Sequence, residues 1–381
     1  MSNLLGLNEV SDFIMGQAPH SSTYNESGEG QLLIKVGDFG KLYPKPKTYT
    51  TAPISFSQLG DVIICVVGAT SGKVNLGINA SITRSVAALR PKDKTDMKYL
   101  YYSLKGSYIK LNRAATGSAQ GILNKTSLSN FKIPLPPLDQ QKKIAAILDA
   151  ADAYKQKSKA LIEKYDELTQ SLFMDMFGNV KDNSHNFNIV SLNEICSKIT
   201  DGEHGTVKRL NTGKLYLMAR NIRDSYIDLK DVSYISDEDH QRIYKRCGAE
   251  EGDLLLVCVG ATIGRMCITP EMEDFSLARS VALLKPKKEI INSFFLYSVL
   301  NSNYLQEVIK RSGNSSAQAG LYTGKIKKLE IFLPPFSLQN QFADRVKAIE
   351  IQKAQAQASL VQAEDLFNSL LQKAFKGELV E

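Results

Sequence analysis

The sequence predicts an α+β protein built from two similar globular domains, each followed by one long helix. Two observations lead to this prediction. A set of phrases recurs in the same order in both halves of the 381-residue chain. Each recurrence ends in an unbroken helical pattern that is much longer than the helices of an ordinary domain. The chain is also too long for one ordinary hydrophobic core, which favours two or more domains.

The most recognisable recurrence is an apolar run that ends in Gly-Ala-Thr. "GDVIICVVGATSGKVNL" begins at Gly60, and "GDLLLVCVGATIGRMCI" begins at Gly252, 192 residues later. Apolar runs rich in β-branched residues and closed by glycine are typical of buried strands. A phosphate-binding Walker loop is excluded, because that loop needs four residues between its glycines and a hydroxyl residue after its lysine. Only three residues separate Gly68 from Gly72, and a valine follows the lysine.

Further recurrences on both sides of this phrase show that the whole chain is duplicated. Their spacing grows from 185 to 198 residues along the chain, so the second copy is 13 residues longer. A repeat of this length indicates two tandem domains, because solenoid repeats are far shorter. The matched segments are "LNEV" from Leu7 with "LNEI" from Leu192, "RSVAALRPK" from Arg84 with "RSVALLKPK" from Arg279, and "LPPL" from Leu135 with "LPPF" from Leu333.

A long helical pattern follows each Pro-Pro pair. Asp139 to Phe177 and Ser337 to Phe375 each span 39 residues, which is roughly 58 Å of helix. Apolar and small residues recur there at alternating steps of three and four, which is typical of a coiled coil. The alternative is an amphipathic helix lying along its own domain, and the length of the pattern favours the coiled coil. The predicted seam residues are Ile144, Ile147, Ala151, Tyr154, Ser158, Leu161, Tyr165, Leu168 and Leu172 in the first helix, and Phe342, Val346, Ile349, Lys353, Ala356, Leu360, Ala363, Phe367, Leu370 and Ala374 in the second.

The order of these parts along the chain predicts their arrangement. The first helix leads from the first globular domain to the second, so the second helix, if it packs on the first, runs back antiparallel to it. This predicts an antiparallel coiled coil with a globular head at each end and a pseudo-two-fold axis between them. The expected division is 1–138 for the first domain, 139–178 for its helix, 179–336 for the second domain and 337–381 for its helix.

Composition favours a protein of the reducing cytoplasm. The five cysteines are an odd number without the spacing of a zinc site or a disulfide framework. The N-terminal sequence lacks the sections of a signal peptide, and no apolar run is long enough to span a membrane. A net charge of +7 permits a polyanionic partner, but the charge alone is weak evidence.

The repeated phrases resemble those of the specificity subunit of type I restriction–modification systems, over essentially the whole chain. The resemblance rests on the two Gly-Ala-Thr phrases, the two Arg-Ser-Val-Ala segments, and the Pro-Pro pairs followed by Gln141 and Gln339. It implies that each globular domain is a target-recognition domain that binds one half of a bipartite, asymmetric site in double-stranded DNA. It also implies that the helices set the half-site spacing and dock two methyltransferase subunits, which two motor-nuclease subunits can join. No catalytic activity and no cofactor are implied for the chain itself.

The residues independently favour a protein without a catalytic site. "LPPF" from Leu333 imitates the Asn-Pro-Pro-Tyr loop of an adenine methyltransferase, but leucine offers no polar group to the target amine. The four histidines stand apart without the spacing of metal ligands. Two alternatives stay open at this point: a catalytic centre assembled from scattered residues, and a non-catalytic coiled-coil adaptor whose heads bind proteins instead of DNA.

One group of candidate DNA contacts is shared by both copies. Basic residues after the paired glycines could reach a phosphate, arginines in the matched strands could read guanine or pair internally, and glutamine can bind adenine through two hydrogen bonds. Maintenance of the shared fold is the alternative for all of them, because heads that read different sequences must differ at their base readers. The shared candidates are Thr70, Lys73, Arg84, Ser118 and Gln120 in the first copy, and Thr262, Arg265, Arg279, Ser316 and Gln318 in the second.

A second group lies where the copies differ, and base readers are expected there. The divergent stretches are 15–30, 38–49, 201–213 and 220–230. Tyr24, Tyr43 and Tyr226 supply flat aromatic faces in these stretches. The basic candidates in them are Lys41, Lys45, Lys47, Lys208, Arg209, Arg220 and Arg223.

Overall fold

The computed structural model describes residues 3–116, 121–314 and 320–379. The chain divides into two units, Met1–Ala160 with Ala356–Glu381, and Leu161–Gln355. Each unit contains a globular domain of strands and short helices together with parts of the two long helices. The predicted class, α+β with two similar domains, is confirmed. Among the described residues, no helix is both long enough and apolar enough to cross a membrane.

The first globular domain is organised around a four-stranded antiparallel sheet that lies beside a five-stranded sheet. The strands are β1 (Asn3–Gly6), β2 (Ser11–Met15), β3 (Tyr24–Asn25), β4 (Gln31–Ile34), β5 (Tyr49–Thr50), β6 (Phe56–Ser57), β7 (Val62–Cys65), β8 (Val74–Leu76), β9 (Ala80–Ile82), β10 (Val86–Pro91) and β11 (Lys132–Leu135), and the helices are α1 (Leu7–Val10), α2 (Met97–Gly106), α3 (Tyr108–Thr116), α4 (Lys125–Ser129) and the long α5 (Leu138–Phe177). The four-stranded sheet has the order β2-β10-β7-β8, and the five-stranded sheet has the order β3-β5-β4-β9-β6. A separate pair, β1 with β11, joins the start of the domain to its end.

The four-stranded sheet is buried on both faces, which explains why β7 is apolar throughout instead of alternating. Ile63 and Ala88 pack with residues of the five-stranded sheet. Ile64 and Leu89, on the other face, pack with helical residues that include Leu148 of α5. Each fully buried isoleucine or leucine contributes about 1.5–3 kcal/mol, so this central layer supplies much of the stability of the unit.

The second globular domain repeats this plan and adds one helix. The elements are β12 (Asn188–Ser191), α6 (Leu192–Ile195), β13 (Cys196–Asp201), β14 (Lys214–Leu217), β15 (Ser233–Ile235), α7 (Asp237–Cys247), β16 (Leu254–Val257), β17 (Met266–Ile268), β18 (Phe275–Leu277), β19 (Val281–Pro286), α8 (Ser293–Leu300), α9 (Asn303–Asn314), α10 (Thr323–Lys327), β20 (Glu330–Leu333) and the long α11 (Phe336–Lys376). The four-stranded sheet has the order β13-β19-β16-β17, and a three-stranded sheet of order β15-β14-β18 lies where the first domain has five strands. Helix α7 stands between β15 and β16, at the place in chain order where the first domain has only the two-residue strand β6.

The doubled Gly-Ala-Thr phrase forms a strand, a tight turn and the next strand in each domain. Gly68 and Gly72 have positive φ angles of 83° and 91°, a conformation that glycine adopts without steric cost. A Cβ at Gly72 would lie 2.8 Å from the Cβ of Leu111 on α3, and one at Gly264 would lie 2.5 Å from Oε1 of Gln306 on α9. The phrase therefore recurs because the turn must pass close beneath a helix in both domains.

The Pro-Pro-x-x-x-Gln pattern also has a structural role. Gln141 is buried, its Oε1 accepts the N–H of Asp96 at 2.8 Å, and its Nε2 donates to the carbonyls of Lys94 and Pro136 at 2.9 and 2.7 Å. Gln339 makes the same kind of contacts in the second domain. Each glutamine thus joins the first turn of a long helix to the start of α2 or α8.

The two long helices begin and end within one residue of the two 39-residue helical patterns, Asp139 to Phe177 and Ser337 to Phe375. Their described parts run antiparallel within each unit. In the first unit Lys155 lies over the ring of Phe367, and Lys159 Nζ lies 2.9 Å from Glu364 Oε1. In the second unit the ring of Phe173 lies 5.7 Å from that of Phe342. The predicted antiparallel pairing is therefore confirmed inside each unit.

Burial confirms the seam predicted for the second long helix, whose residues are all buried or half-buried. For the first helix, every second predicted position is wrong. Ile144, Ala151 and Ser158 are buried, whereas the predicted seam residues Ile147, Tyr154, Leu161 and Leu168 are 37%, 50%, 42% and 49% exposed.

The true seam continues through the residues one position later, which include Leu148 and Lys155. Tyrosine is the more apolar of the two neighbours, yet Tyr154 is 50% exposed while the side chain of Lys155 is only 13% exposed. The lysine enters the seam because its aliphatic stem can pack while its ammonium group lies 4.1 Å from the centroid of the Phe367 ring.

Candidate nucleic-acid interface

In the first unit, one edge of the four-stranded sheet collects the loops that vary between the domains. The antiparallel register brings the ends of β2 and β7 and the starts of β8 and β10 to this edge, where Met15 pairs with Ala87 and Cys65 with Val86. The parallel strands β4 and β9 end beside it, since the N–H of Thr83 donates to the carbonyl of Ile34 at 3.1 Å. We call this side of the domain the loop edge.

The second unit has an equivalent loop edge. Asp201 at the end of β13 pairs with Ala282, and Val257 at the end of β16 pairs with Val281. The parallel strands β14 and β18 end there too. The segments at the two loop edges are 16–23, 35–48, 66–73 and 83–85 in the first unit, and 202–213, 218–232, 258–265 and 278–280 in the second.

The arginines shared by the two copies are presented at these edges, but not on strands. The sequence predicted that Arg84 and Arg279 lie in the matched strands, and the structure places both in the exposed turns that precede β10 and β19. The turns are formed because the backbone switches from one sheet to the other at this point. Neither guanidinium has a hydrogen-bond or ion-pair partner among the described residues, so both are available to an anion.

The residues of the Gly-Ala-Thr turns are less uniform. Lys73 is exposed, but its Nζ donates to the backbone carbonyl of Phe39 at 3.2 Å. Its counterpart Arg265 is half-buried, and no side-chain partner is found within the described ranges. Thr70 is exposed and Thr262 half-buried in the same turns. Four further shared candidates, Ser118, Gln120, Ser316 and Gln318, lie outside the described residues.

In the first unit the divergent basic residues lie on a well-anchored loop. Lys41, Lys45 and Lys47 are exposed. The loop runs along β8, where Asn75 Nδ2 donates to the carbonyl of Gly40 at 3.2 Å and the N–H of Leu76 donates to Leu42 at 2.8 Å. These contacts hold the lysine backbone in place while the charged ends stay in solvent.

In the second unit two of the divergent arginines bind their own loop. Arg220 Nε donates to the carbonyl of Asp231 at 3.2 Å, and its Nη2 donates to Ser233 Oγ at 3.1 Å. Arg223 Nε and Nη2 both donate to Asp228 Oδ2, at 3.3 and 3.2 Å. The pKa of Asp228 is lowered by the Lys230 N–H that it accepts and by the Arg223 guanidinium. These arginines shape the loop, and their charge is partly neutralised.

The remaining divergent candidates are exposed and weakly anchored. Lys208 and Arg209 lie in the segment after β13, which has no helix or strand before Lys214. The backbone there is attached at Leu210, whose N–H donates to the carbonyl of Tyr234 at 2.8 Å. Tyr43 and Tyr226 are about half exposed, whereas Tyr24 is half-buried beneath the ammonium group of Lys35.

Sequence reasoning did not single out Gln17 and Glu203, which occupy equivalent places just after β2 and β13. Each follows a glycine, Gly16 or Gly202, whose added Cβ would lie 2.2 Å from a backbone carbonyl oxygen of the neighbouring turn. The N–H of Gln17 donates to Ile82 and that of Glu203 to Leu277, so the backbones match. A glycine at the end of a paired strand was the available signal.

Comparisons with known proteins show what the chain is similar to. A family model described as the type I restriction modification DNA specificity domain matches residues 6–164 and again 185–360. The type I restriction enzyme EcoBI specificity subunit of Escherichia coli is 26% identical over 98% of this chain and 85% of its own length. The MjaVIII specificity subunit of Methanocaldococcus jannaschii is 25% identical over 90% of this chain and 81% of its own length. The crystal structure of a type I restriction–modification S subunit from M. genitalium shares the fold, with a TM-score of 0.65 at 18% identity over 98% of this chain and 96% of that one.

Proposed function

The chain belongs to the type I restriction–modification DNA specificity family, and from this premise we propose that its two domains select the DNA sequence for a methyltransferase complex. Each domain would bind one half of a bipartite site in double-stranded DNA through its loop edge. The long helices would hold the heads at a set spacing and dock two methyltransferase subunits, to which two motor-nuclease subunits can be added. The chain itself would catalyse no reaction, and the methyltransferase would supply the chemistry.

The observation that supports this proposal is the contrast between shared and divergent residues at the two loop edges. Arg84 and Arg279 are exposed at equivalent turns in both domains, while the loops beside them differ in sequence and structure. Phosphate contacts position a protein on DNA without reading sequence, whereas base contacts specify it. Identical arginines therefore suit the phosphates, and divergent loops suit the bases of two different half-sites.

Within this proposal the shared residues Thr70, Lys73, Thr262 and Arg265 have mainly a turn-forming role. The exposed lysines of the 39–48 loop and the pair Lys208 and Arg209 contact DNA. The adaptor alternative, in which the heads bind proteins, is not supported by the family match. It also does not explain why two arginines with no side-chain partner among the described residues should recur on matched turns.

Salt dependence tests the phosphate contacts. The complex of the chain with its methyltransferase subunit is titrated with duplex DNA at several salt concentrations. Arg84→Gln and Arg279→Gln are each expected to lower the slope of log affinity against log salt by about one. The loss should be equal for the preferred site and for unrelated DNA. Lys132→Gln, which removes an exposed charge from β11 outside the central sheet, should leave the slope unchanged.

Two results would contradict this assignment. A variant that changes the preferred bases of one half-site would show that the arginine reads bases. If the affinity of the unmodified complex for DNA does not fall as the salt concentration rises, the DNA-binding function is contradicted and the adaptor alternative is favoured.

A further inference from the structure

Helix α7, which has no counterpart in the described part of the first domain, contacts the segment that leaves β13 at the loop edge of the second domain. We propose that Arg242 and Arg246 of α7 are positioning residues that hold Asp201–Gly205, and thereby the base-reading loop that follows, in one conformation. This inference rests on the proposed function and adds to it a device that acts on the second half-site alone.

Arg242 bridges two carboxylates. Its Nη1 donates to Glu203 Oε2 at 2.8 Å, and its Nη2 donates to Asp239 Oδ1 on its own helix at 2.8 Å. Asp239 therefore orients the guanidinium toward Glu203. One turn later, Arg246 Nη2 donates to the carbonyl of Gly202, and Arg246 Nη1 lies 4.0 Å from Asp201 Oδ1. The two arginines thus contact both the backbone and the side chains of this short segment.

Glu203 connects α7 to the rest of the loop edge. Its side chain is only 13% exposed, and its second oxygen, Oε1, accepts the N–H of Gly205 at 2.7 Å. Its backbone carbonyl accepts the N–H of Arg279 at 3.0 Å. The pKa of the Glu203 carboxyl is lowered by the Gly205 N–H and by the Arg242 guanidinium. The ionised carboxylate therefore joins α7 to the bend at Gly205, and the backbone carbonyl of the same residue joins this segment to the turn that carries the proposed phosphate contact.

Beyond these contacts, the described loop is attached to the domain by Val207, which is half-buried against the hydrophobic core of the second domain. His204, 58% exposed, is the first side chain presented, and its Nε2 lies 2.7 Å from Asp201 Oδ2. Thr206, Lys208 and Arg209 follow, all exposed. The next backbone anchor is the hydrogen bond of Leu210 described above. The start of this loop is therefore held by the contacts of Glu203 and Gly202 with α7, in addition to their backbone hydrogen bonds with the sheet and the packing of Val207.

In the first domain, the equivalent loop, which follows β2, is held by hydrogen bonds and not by a helix. Gln17 takes the place of Glu203 and is exposed, with no side-chain hydrogen bond to a described residue. Its loop is held further along, where His20 Nδ1 lies 2.7 Å from Ser22 Oγ and Thr23 Oγ1 lies 2.8 Å from Thr50 Oγ1. Loss of the α7 contacts should therefore weaken the base preference at the second half-site and leave the preference at the first half-site unchanged. The first half-site thus provides an internal control.

The test selects bound duplexes from a random DNA library with the complex of the full chain and its methyltransferase subunit, and sequences them. Arg242→Gln and Glu203→Gln are each expected to reduce the preference for the cognate second half-site over single-base variants by about tenfold. The double variant should be no worse than either single one, because both remove the same contact. Arg242→Lys, which can reach one carboxylate, should restore part of the preference.

Two comparisons separate positioning from direct DNA contact. Glu203→Gln removes a negative charge, so weaker attraction to phosphates cannot explain a loss of selectivity in that variant. Lys245→Gln is the matched control, because it removes one positive charge from the exposed face of the same helix. It should leave the base preference at both half-sites unchanged.

Four results would overturn the inference. Relaxation by Arg242→Gln without relaxation by Glu203→Gln would show that Arg242 contacts DNA itself. If Arg242→Gln weakened the base preference at both half-sites, the cause would be a general loss of structure. If Lys245→Gln weakened the preference at the second half-site as strongly as Arg242→Gln, the cause would be the loss of charge. If the unmodified complex selects no two-part motif, the proposed function fails and this inference fails with it.

Discussion

Replacement of Gln141 by leucine tests whether the Pro-Pro-x-x-x-Gln pattern joins the long helix to its domain. The substitution keeps a buried side chain of similar size and leaves three backbone groups without their partner: the N–H of Asp96 and the carbonyls of Lys94 and Pro136. An unsatisfied buried polar group costs about 1–3 kcal/mol. Lys94 is exposed and Asp96 half-buried, so water can reach part of the gap, and the lower end of that range applies.

The expected loss of unfolding free energy for the first unit is therefore about 3 kcal/mol, which corresponds to a fall in Tm of roughly 6–12 °C for a unit of this size. Because two units need not unfold together, the local measurement is amide hydrogen exchange in α2, whose first turn Gln141 supports. Exchange there should accelerate by about 100-fold, since each 1.4 kcal/mol is a factor of ten.

Gln140→Leu serves as the control, because that half-buried neighbour has no side-chain hydrogen bond to a described residue. Gln141 does not join the helix to its domain if Gln141→Leu changes stability no more than Gln140→Leu, or if exchange in α2 is unaffected while the unit as a whole is destabilised.

Three further predictions concern spacing, symmetry and pH. Insertion of seven residues into both long helices keeps the seam in phase and should widen the gap between half-sites by roughly 10 Å, about three base pairs; an unchanged gap in the map of methylated sites would exclude a measuring role. A fragment of residues 1–180 should form a two-fold dimer through its unpaired seam, Ile144 and Leu148 included, and methylate a palindromic site with its partner subunit; a monomer, or a motif that is not palindromic, would contradict this. The pKa of His240 is lowered by burial and by Lys214, so the unfolded state binds its proton more readily and stability should fall as pH drops below about 6.5. His240→Gln should flatten that part of the stability curve measured by urea unfolding, and an unchanged curve would argue against it.

The duplication, the domain class and the two long helices were predictable because each depends on patterns that are local or strictly periodic. "GDVIICVVGAT" forms a buried strand and a turn wherever the sheet has both faces covered, and its recurrence at Gly252 predicts the same element twice. The unbroken helical patterns after the two Pro-Pro pairs likewise predicted the helix ends within one residue. The resemblance to a family followed from the same phrases.

The contacts of side chains were decided only by the tertiary structure. Lys155 and Tyr154 are adjacent in sequence, and the lysine takes the seam position because Phe367 of the other helix and Asp152 of its own helix both lie close to its ammonium group. Arg84 and Arg220 are both basic residues of candidate loops, yet one is free of described partners while the other binds Ser233. Such differences depend on which residues the fold brings within about 4 Å, and no periodicity along the chain encodes that distance.

The contact between α7 and Glu203 is another case that sequence patterns could not predict. Arg242 and Glu203 are 39 residues apart in the chain, and neither belongs to a repeated phrase. The sequence by itself determined that two similar heads exist and where their divergent stretches lie. Which of those stretches is held by a helix, and which by hydrogen bonds within its own loop, depended on the three-dimensional path of the chain, because ion pairs form between groups that packing places side by side.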